Sequence, residues 1–217
     1  MDQKQCIEIF RRVGIVPVVV LEDAKDAVRL GQTLTAGGLP VAEVTFRTAA
    51  AEESIRAMSE SCPGLLVGAG TVLDIGQAER AVKAGARFIV SPGLNKDLTA
   101  WCLERDIPVF PGALTPTEIS EAICMGLTTV KFFPAEPAGG LSMIRALSAP
   151  FGMVSFMPTG GISPANVRDY LKTSCIAACG GSWMVKSSLI AASEWDRIEA
   201  LVREAADIVR ECRPAVS

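Results

Sequence analysis

One lysine of this 217-residue chain lies within an apolar segment that has the composition of a buried strand. Lys131 stands between Val130 and Phe132 in the segment TTVKFF. Apolar surroundings disfavour the charged form of an amine, and a neutral lysine is a nucleophile towards carbonyl carbons. The segment therefore predicts a Schiff-base lysine, although a lysine that extends from a strand end into solvent would give the same pattern. The other lysines lie in helical or turn contexts with polar neighbours, and we expect no nucleophile among them: Lys4, Lys25, Lys83, Lys96, Lys172 and Lys186.

The sequence contains no histidine. This excludes Ser-His-Asp and Cys-His catalysis, and zinc sites built on histidine. General acid–base catalysis then falls to Asp, Glu, Lys, Cys or the single tyrosine, Tyr170. Carbonyl chemistry without histidine or an evident set of metal ligands favours a lysine Schiff base that needs no metal and no cofactor.

A glutamate lies inside another predicted strand, VAEVTFR. Because side chains alternate along a strand, Glu43, Thr45 and Arg47 share one face, and the apolar residues share the other. If the apolar face meets helices and the strands form a barrel, Glu43 points into that barrel and Arg47 stands near its rim. A buried glutamate is rare unless it is paired or functional. The alternative to a functional carboxylate is a structural ion pair between Glu43 and Arg47.

Paired glycines end the last two predicted strands, in PTGGIS at Gly160-Gly161 and in GGSW at Gly180-Gly181. Glycines expose backbone N–H groups, and each loop leads towards a helix N-terminus, which favours an anion. Barrels of alternating strands and helices frequently bind phosphate after strands seven and eight. The pattern predicts a phosphate site, whereas the alternative is that these glycines only make tight turns.

Short β-branched segments alternate with amphipathic helical patterns along the whole chain. The eight predicted strands are GIVPVVV, VAEVTF, LLVGAG, RFIVS, PVFPG, TTVKFF, VSFMPTGG and CIAACGG. Short connections without a linker predict an α/β fold in which residues 1–217 form a single-domain (β/α)₈ TIM barrel. An extra N-terminal helix is predicted over Gln3 to Val13, and the last outer helix over Glu194 to Arg210.

The structural alternative is an open, doubly wound sheet. A dinucleotide-binding sheet of that kind carries a GxGxxG turn after its first strand, and no such turn follows VPVVV. The segment Gly68-Ala69-Gly70 lacks the third glycine and indicates instead a strand end with close backbone approach.

The composition is that of a globular protein, with 49% hydrophobic residues, 21% charged residues and a net charge of −3. The absence of charge blocks predicts no binding to nucleic acid or to anionic membranes. The apolar run from Ile15 to Leu21 is too short to cross a bilayer, and the N-terminus predicts no signal peptide, so we expect a cytoplasmic protein. Seven cysteines without CxxC pairs predict reduced, mostly buried thiols.

Six motifs, in chain order, resemble 2-keto-3-deoxy-6-phosphogluconate (KDPG) aldolases, which often also act as 4-hydroxy-2-oxoglutarate aldolases. They are EVTFRT, VGAGTVL, VSPG, VKFFPAE, PTGGIS and GGSW. Each motif is weak alone, but together they cover almost the whole chain in order and are specific. The resemblance implies a homotrimeric Schiff-base lyase whose partner is a small phosphorylated keto-deoxy sugar acid or pyruvate.

The resemblance also implies the residues of the site. Lys131 would form the Schiff base, and Glu43 would act as the general acid/base. The other implied roles are carboxylate binding by Arg47 and Thr71, pocket walls from Pro92 and Phe133, phosphate binding by Gly160, Gly161 and Ser182, and a place beside them for Thr159.

Two other functions fit the same glycine-rich loops. A phosphate-binding isomerase or epimerase would use Glu43 as its base and need no iminium on Lys131. A catalytically silent sugar-phosphate-binding barrel would need neither residue for chemistry, and fold alone excludes neither function.

Overall fold

The structure, a computed structural model, describes residues 1–214 and alternates strands with helices. The strands are β1 (Ile15–Val19), β2 (Val41–Thr45), β3 (Leu66–Gly70), β4 (Ile89–Val90), β5 (Val109–Phe110), β6 (Thr129–Phe132), β7 (Ser155–Pro158) and β8 (Cys179–Gly181). The helices are α1 (Gln3–Val13), α2 (Ala27–Ala36), α3 (Ala51–Ser61), α4 (Ile75–Lys83), α5 (Lys96–Leu103), α6 (Pro116–Cys124), α7 (Gly140–Ser148), α8 (Val167–Leu171), α9 (Ser187–Ala191) and α10 (Trp195–Cys212).

The strands form two parallel sheets. Six of them lie in the order β5-β4-β3-β2-β1-β8, and β6 pairs with β7. Isolated parallel bridges join Gly112, after β5, to Lys131 on β6, and Thr159, after β7, to Gly180 on β8. The two sheets therefore meet at both edges of the six-stranded sheet. Parallel pairing brings the carboxyl ends of the strands to one side of the molecule, where the loops that follow them come together.

The predicted elements are found in the structure. Each of the eight predicted segments contains one observed strand, and α1 has the predicted bounds. The last helix, α10, ends two residues beyond the predicted Arg210. The prediction of an α/β fold with parallel strands is confirmed.

Helix α1 is fixed to the chain near the beginnings of the strands. The Gln3 amide donates to the carbonyl of Val109 at 3.0 Å and accepts from its N–H at 2.8 Å. The ring of Phe10 packs against Phe88 and Phe110, with ring centroids 5.0 and 4.9 Å away. These contacts hold α1 against the beginning of β5.

Long apolar helices and disulfides are features of membrane and secreted proteins. Within residues 1–214 no helix is long and apolar enough to span a membrane. All seven cysteines lie in this range and none forms a disulfide; four are buried, as predicted.

Candidate active site

Lys131 on β6 and Glu43 on β2 form a buried ion pair between the two sheets. The Lys131 Nζ donates to Glu43 Oε1 at 3.2 Å, and the two residues are 3% and 1% exposed. Neither expected alternative is found, because the lysine does not extend into solvent and Glu43 pairs with Lys131 rather than with Arg47. Strand alternation had correctly predicted that Glu43 faces the interior.

The second carboxylate oxygen of Glu43 is also buried, and it accepts no hydrogen bond from any residue in the described range. A buried polar atom without a partner costs roughly 1–3 kcal/mol, so such atoms require an explanation. An oxygen of this kind is available to accept a proton from a substrate hydroxyl or from water. Glu43 can thus contact Lys131 through Oε1 and a reacting molecule through Oε2.

Gly70, the last residue of β3, gives the Glu43 carboxylate its space. A Cβ atom on Gly70 would overlap with Oε1, Cγ and Cδ of Glu43. A Cβ atom on Gly68 would overlap in the same way with the ring of Phe88. The close approach to the backbone that the Gly68-Ala69-Gly70 segment predicted is found, and at Gly70 the group that approaches is the Glu43 carboxylate.

Arg47 and Thr71 lie together after β2 and β3. The Arg47 Nε donates to the Thr71 hydroxyl at 3.4 Å. Thr71 has a φ of 55°, a left-handed conformation that is a true outlier for a β-branched residue. Such strain costs on the order of 1–3 kcal/mol and is concentrated at functional sites. This pair presents a guanidinium and a hydroxyl, which suit a carboxylate ligand.

A cavity of about 450 Å³ opens at the carboxyl ends of the strands. Six of the ten predicted site residues line it: Arg47, Phe133, Thr159, Gly160, Gly161 and Ser182. Lys131 and Glu43 are too deeply buried to form its wall. Phe133 connects them to it, because its ring lines the cavity and its centroid lies 5.2 Å from the Lys131 Nζ.

The loop after β7 has a conformation that requires glycine. Gly160 and Gly161 have φ values of 99° and 81°, which L-residues with side chains rarely adopt. The amide N–H of Gly161 has no acceptor among the described residues. The loop is thus a tight turn that also has a free backbone donor at a residue of the cavity wall, so both expected roles of these glycines are compatible.

Tyr170 supports this loop from behind. Its hydroxyl donates to Glu136, and the Glu136 N–H in turn donates to the Gly160 carbonyl at 3.0 Å. Burial, and then the hydrogen bond to Glu136, raise the pKa of Tyr170 well above its ordinary value. Tyr170 is therefore a poor proton shuttle, and among the candidates left by the missing histidine Glu43 is the better placed.

Pro92 does not line the same cavity as the six predicted wall residues. It borders a separate cavity of about 390 Å³ with Val72, Leu73 and Asn95, and it is absent from the wall of the larger cavity. Thr71 is likewise absent from that wall, and it reaches the site through its hydrogen bond to Arg47.

Sequence analysis missed several wall residues, of which Lys186 is the most consequential. Its polar neighbours predict a lysine in a turn with no role in the site, yet Lys186 lines the cavity with Val18, Val20 and Ser187. The available signal was its place four residues after Ser182, in the loop that follows β8. Within residues 1–214 no three Cys, Asp or Glu side chains are grouped as metal ligands.

Known proteins resemble this chain over nearly its full length. The family model for KDPG and KHG aldolases matches residues 6–201. The 2-dehydro-3-deoxy-phosphogluconate aldolase of Haemophilus influenzae is 46% identical, over 95% of this chain and 98% of the relative. The KHG/KDPG aldolase of Escherichia coli K12 is 45% identical, over 89% of this chain and 91% of the relative.

Two solved structures superpose closely. The KDPG aldolase of Zymomonas mobilis ZM4, with 3-phosphoglycerate, has a TM-score of 0.90 at 38% identity and covers 99% of this chain and 100% of its own. The KDPG aldolase of Legionella pneumophila, with pyruvate captured as a covalent carbinolamine, has a TM-score of 0.89 at 39% identity. That superposition covers 92% of this chain and 97% of the Legionella chain.

Proposed function

The chain belongs to the KDPG and KHG aldolase family, and from that premise we propose that it cleaves KDPG to pyruvate and glyceraldehyde 3-phosphate. It is a carbon–carbon lyase of the Schiff-base type. Cleavage of 4-hydroxy-2-oxoglutarate to pyruvate and glyoxylate is the second activity, supported by the printed name of the Escherichia coli relative. The observation that carries the proposal is the buried Lys131–Glu43 pair at 3.2 Å beside the cavity.

Lys131 is the nucleophile and Glu43 the proton carrier in this proposal. Proton transfer from Lys131 to Glu43 leaves a neutral amine, which attacks the C2 ketone of the substrate. The protonated Glu43 then supplies a proton to the departing water, and the carbinolamine becomes an iminium. Their hydrogen bond supports this sequence because it connects the two atoms between which the first proton moves.

The iminium then accepts the electrons of the C3–C4 bond. The C4 hydroxyl passes its proton to Glu43, directly or through water, and glyceraldehyde 3-phosphate leaves as an enamine forms on Lys131. Glu43 returns a proton to C3, and water hydrolyses the iminium to release pyruvate and the free lysine. The Glu43 Oε2 atom, which has no described hydrogen-bond partner, is the one we assign to the C4 hydroxyl proton.

The two ends of the substrate occupy opposite parts of the site. Arg47 and Thr71 bind the carboxylate, Arg47 by a bidentate contact that a lysine would reproduce poorly. The phosphate binds to the loops after β7 and β8, on Gly160, Gly161 and Ser182. The remaining predicted pocket residues are Phe133 and Thr159, which line the cavity, and Pro92, which borders the neighbouring cavity.

We further propose that the eight strands close into one (β/α)₈ barrel in a single domain of residues 1–217. The bridges from Gly112 to Lys131 and from Thr159 to Gly180 support closure, because they connect the two sheets on both sides. Homotrimeric assembly rests on the family resemblance. A cytoplasmic location is supported by the free cysteines, since unpaired thiols are typical of reducing compartments.

Covalent trapping tests the proposal. Incubation with pyruvate and borohydride should add one reduced pyruvyl group, which peptide mass spectrometry should locate on Lys131, and Lys131→Ala should abolish the adduct. An isomerase, an epimerase or a silent binding protein would give no adduct. An adduct on another lysine would exclude the assigned mechanism.

A further inference from the structure

Two cations are the charged residues of the cavity wall. Arg47 lines it after β2 and Lys186 after β8, whereas no acidic residue of the described chain belongs to this wall. Fixed positive charge in a concave site raises the local concentration of anionic ligands. The wall is therefore complementary to an anion, and its two charges allow for two anionic groups.

Lys186 is free to contact a ligand. Its side chain is exposed and makes no ion pair or hydrogen bond with a residue in the range 1–214. By contrast, Lys25, Lys96 and Lys131 each pair with a carboxylate. A lysine without a protein partner at the wall of a cavity loses no existing interaction when it binds an anion.

The spacing of the two cations suits an elongated dianion. In the sheet, β1 separates β2 from β8, so Arg47 and Lys186 follow strands that are two positions apart. Neighbouring strands lie about 4.8 Å apart, which places the two strand ends on the order of 10 Å from each other. Val18 and Val20, from β1 and its end, line the space between them. Such a site fits a chain that carries an anionic group at each end.

We propose that Lys186 is a specificity residue that binds the phosphate of the substrate. This inference rests on the proposed function, which assigns Arg47 to the carboxylate and the Gly160, Gly161 and Ser182 loops to the phosphate. Those loops offer N–H and hydroxyl donors but no full positive charge. Lys186 supplies the countercharge on that side, and hydrogen bonds between charged partners are about twice as strong as those between neutral ones.

The test compares two aldehydes that differ only in the phosphate. The reverse reaction is measured at saturating pyruvate, with D-glyceraldehyde 3-phosphate or with D-glyceraldehyde. The quantity compared is the ratio of kcat/KM for the phosphorylated aldehyde to kcat/KM for glyceraldehyde. Lys186→Gln should lower this ratio by about 10–100-fold, mainly through a higher KM for the phosphorylated aldehyde. Lys186→Glu should lower the ratio further, and Lys186→Arg should keep it within about threefold of the wild-type value, because both side chains are cationic.

Lys172→Gln is the matched control. Lys172 is an exposed lysine at a separate surface cavity beside Arg11 and Arg213, so its loss should leave the ratio unchanged. A Lys186→Gln ratio equal to that of the wild type, or an equal loss with both aldehydes, would overturn the proposal. Borohydride trapping with pyruvate on the same variants distinguishes a failure of the role of Lys186 from a failure of the proposed aldolase function. If Lys131 is trapped but the ratio does not move, only the role of Lys186 fails; if nothing is trapped in the wild type, the proposed function fails.

Discussion

Gly70 and Glu43 share a volume that only one side chain can fill. The carboxylate of Glu43 occupies the space where a Cβ atom of residue 70 would lie. This relationship connects the VGAG segment of β3 to the proposed acid/base on β2, since Glu43 and Gly68 are register partners in the β2–β3 pair. Gly70 therefore determines where the Glu43 carboxylate can lie, although it has no side chain itself.

Gly70→Ala should displace Glu43 from Lys131. Overpacking of a filled interior costs typically about 1–3 kcal/mol, so the unfolding temperature should fall. Because small misplacements of catalytic groups can cost about 10²-fold in rate, pyruvate methyl-proton exchange should slow by roughly that factor. Gly152→Ala is the control, because a Cβ atom there would contact nothing within 4 Å. An alanine at residue 70 that leaves exchange at the wild-type rate would show that the position of Glu43 is not critical.

Local patterns were sufficient to predict the elements and the direction of Glu43. Period-2 alternation placed this glutamate on the inner face, and an apolar strand around Lys131 indicated burial. The partner of Glu43 was not predictable in the same way. Arg47 is near in sequence and on the same strand face, whereas Lys131 is 88 residues away and lies on β6, in the other sheet.

Two further differences between the prediction and the structure concern residues in loops. The structure places Lys186 in the cavity wall and Pro92 in a neighbouring cavity. Residues that follow strand ends all lie on one side of the sheet, and this much the sequence predicts. Which of these residues line the 450 Å³ cavity depends on how each loop folds over that side of the sheet. The residue type at a single position carries little information about the path of a loop.

Ser182→Asp should discriminate between substrates with and without a phosphate. Ser182 lines the cavity beside Gly180 and Lys186, and a carboxylate there would repel the substrate phosphate. We expect kcat/KM for KDPG to fall far more than that for 4-hydroxy-2-oxoglutarate, which has no phosphate. Ser182→Ala is the control for loss of the hydroxyl alone. Equal losses on both substrates with aspartate would indicate that the loop has a structural role.

Turnover should not depend on a divalent metal. The sequence has no histidine, and the part of the chain described in the structure has no group of three carboxylate or thiol side chains that would bind a metal ion. Activity on KDPG after exhaustive treatment with a chelator should equal that of untreated enzyme. Addition of Mg²⁺, Mn²⁺ or Zn²⁺ should then give no increase. If chelation abolished turnover and one of these ions restored it, a metal-dependent aldolase mechanism would replace the Schiff base.

Glu43→Gln separates proton transfer from nucleophilic attack. The amide keeps the size of the side chain and can still hydrogen bond to Lys131, but it has no exchangeable carboxylic proton. General acid–base catalysis contributes typically about 10²–10⁴-fold, so KDPG turnover and pyruvate methyl-proton exchange in deuterated buffer should fall by a factor in that range. The borohydride adduct on Lys131 should still form, though more slowly, because loss of water from the carbinolamine also uses the carboxyl proton.

The comparison with Lys131→Ala makes the assignment specific. That variant should lose trapping, exchange and turnover together, since in the proposed mechanism every intermediate forms on this amine. Glu43→Gln should instead leave an enzyme that forms the adduct but exchanges protons poorly. Exchange reports protonation of the enamine without any aldehyde, so it is independent of the phosphate site and of Lys186. Wild-type exchange in Glu43→Gln would mean that another group carries the proton to and from C3, and the assignment of Glu43 as the acid/base would then be wrong.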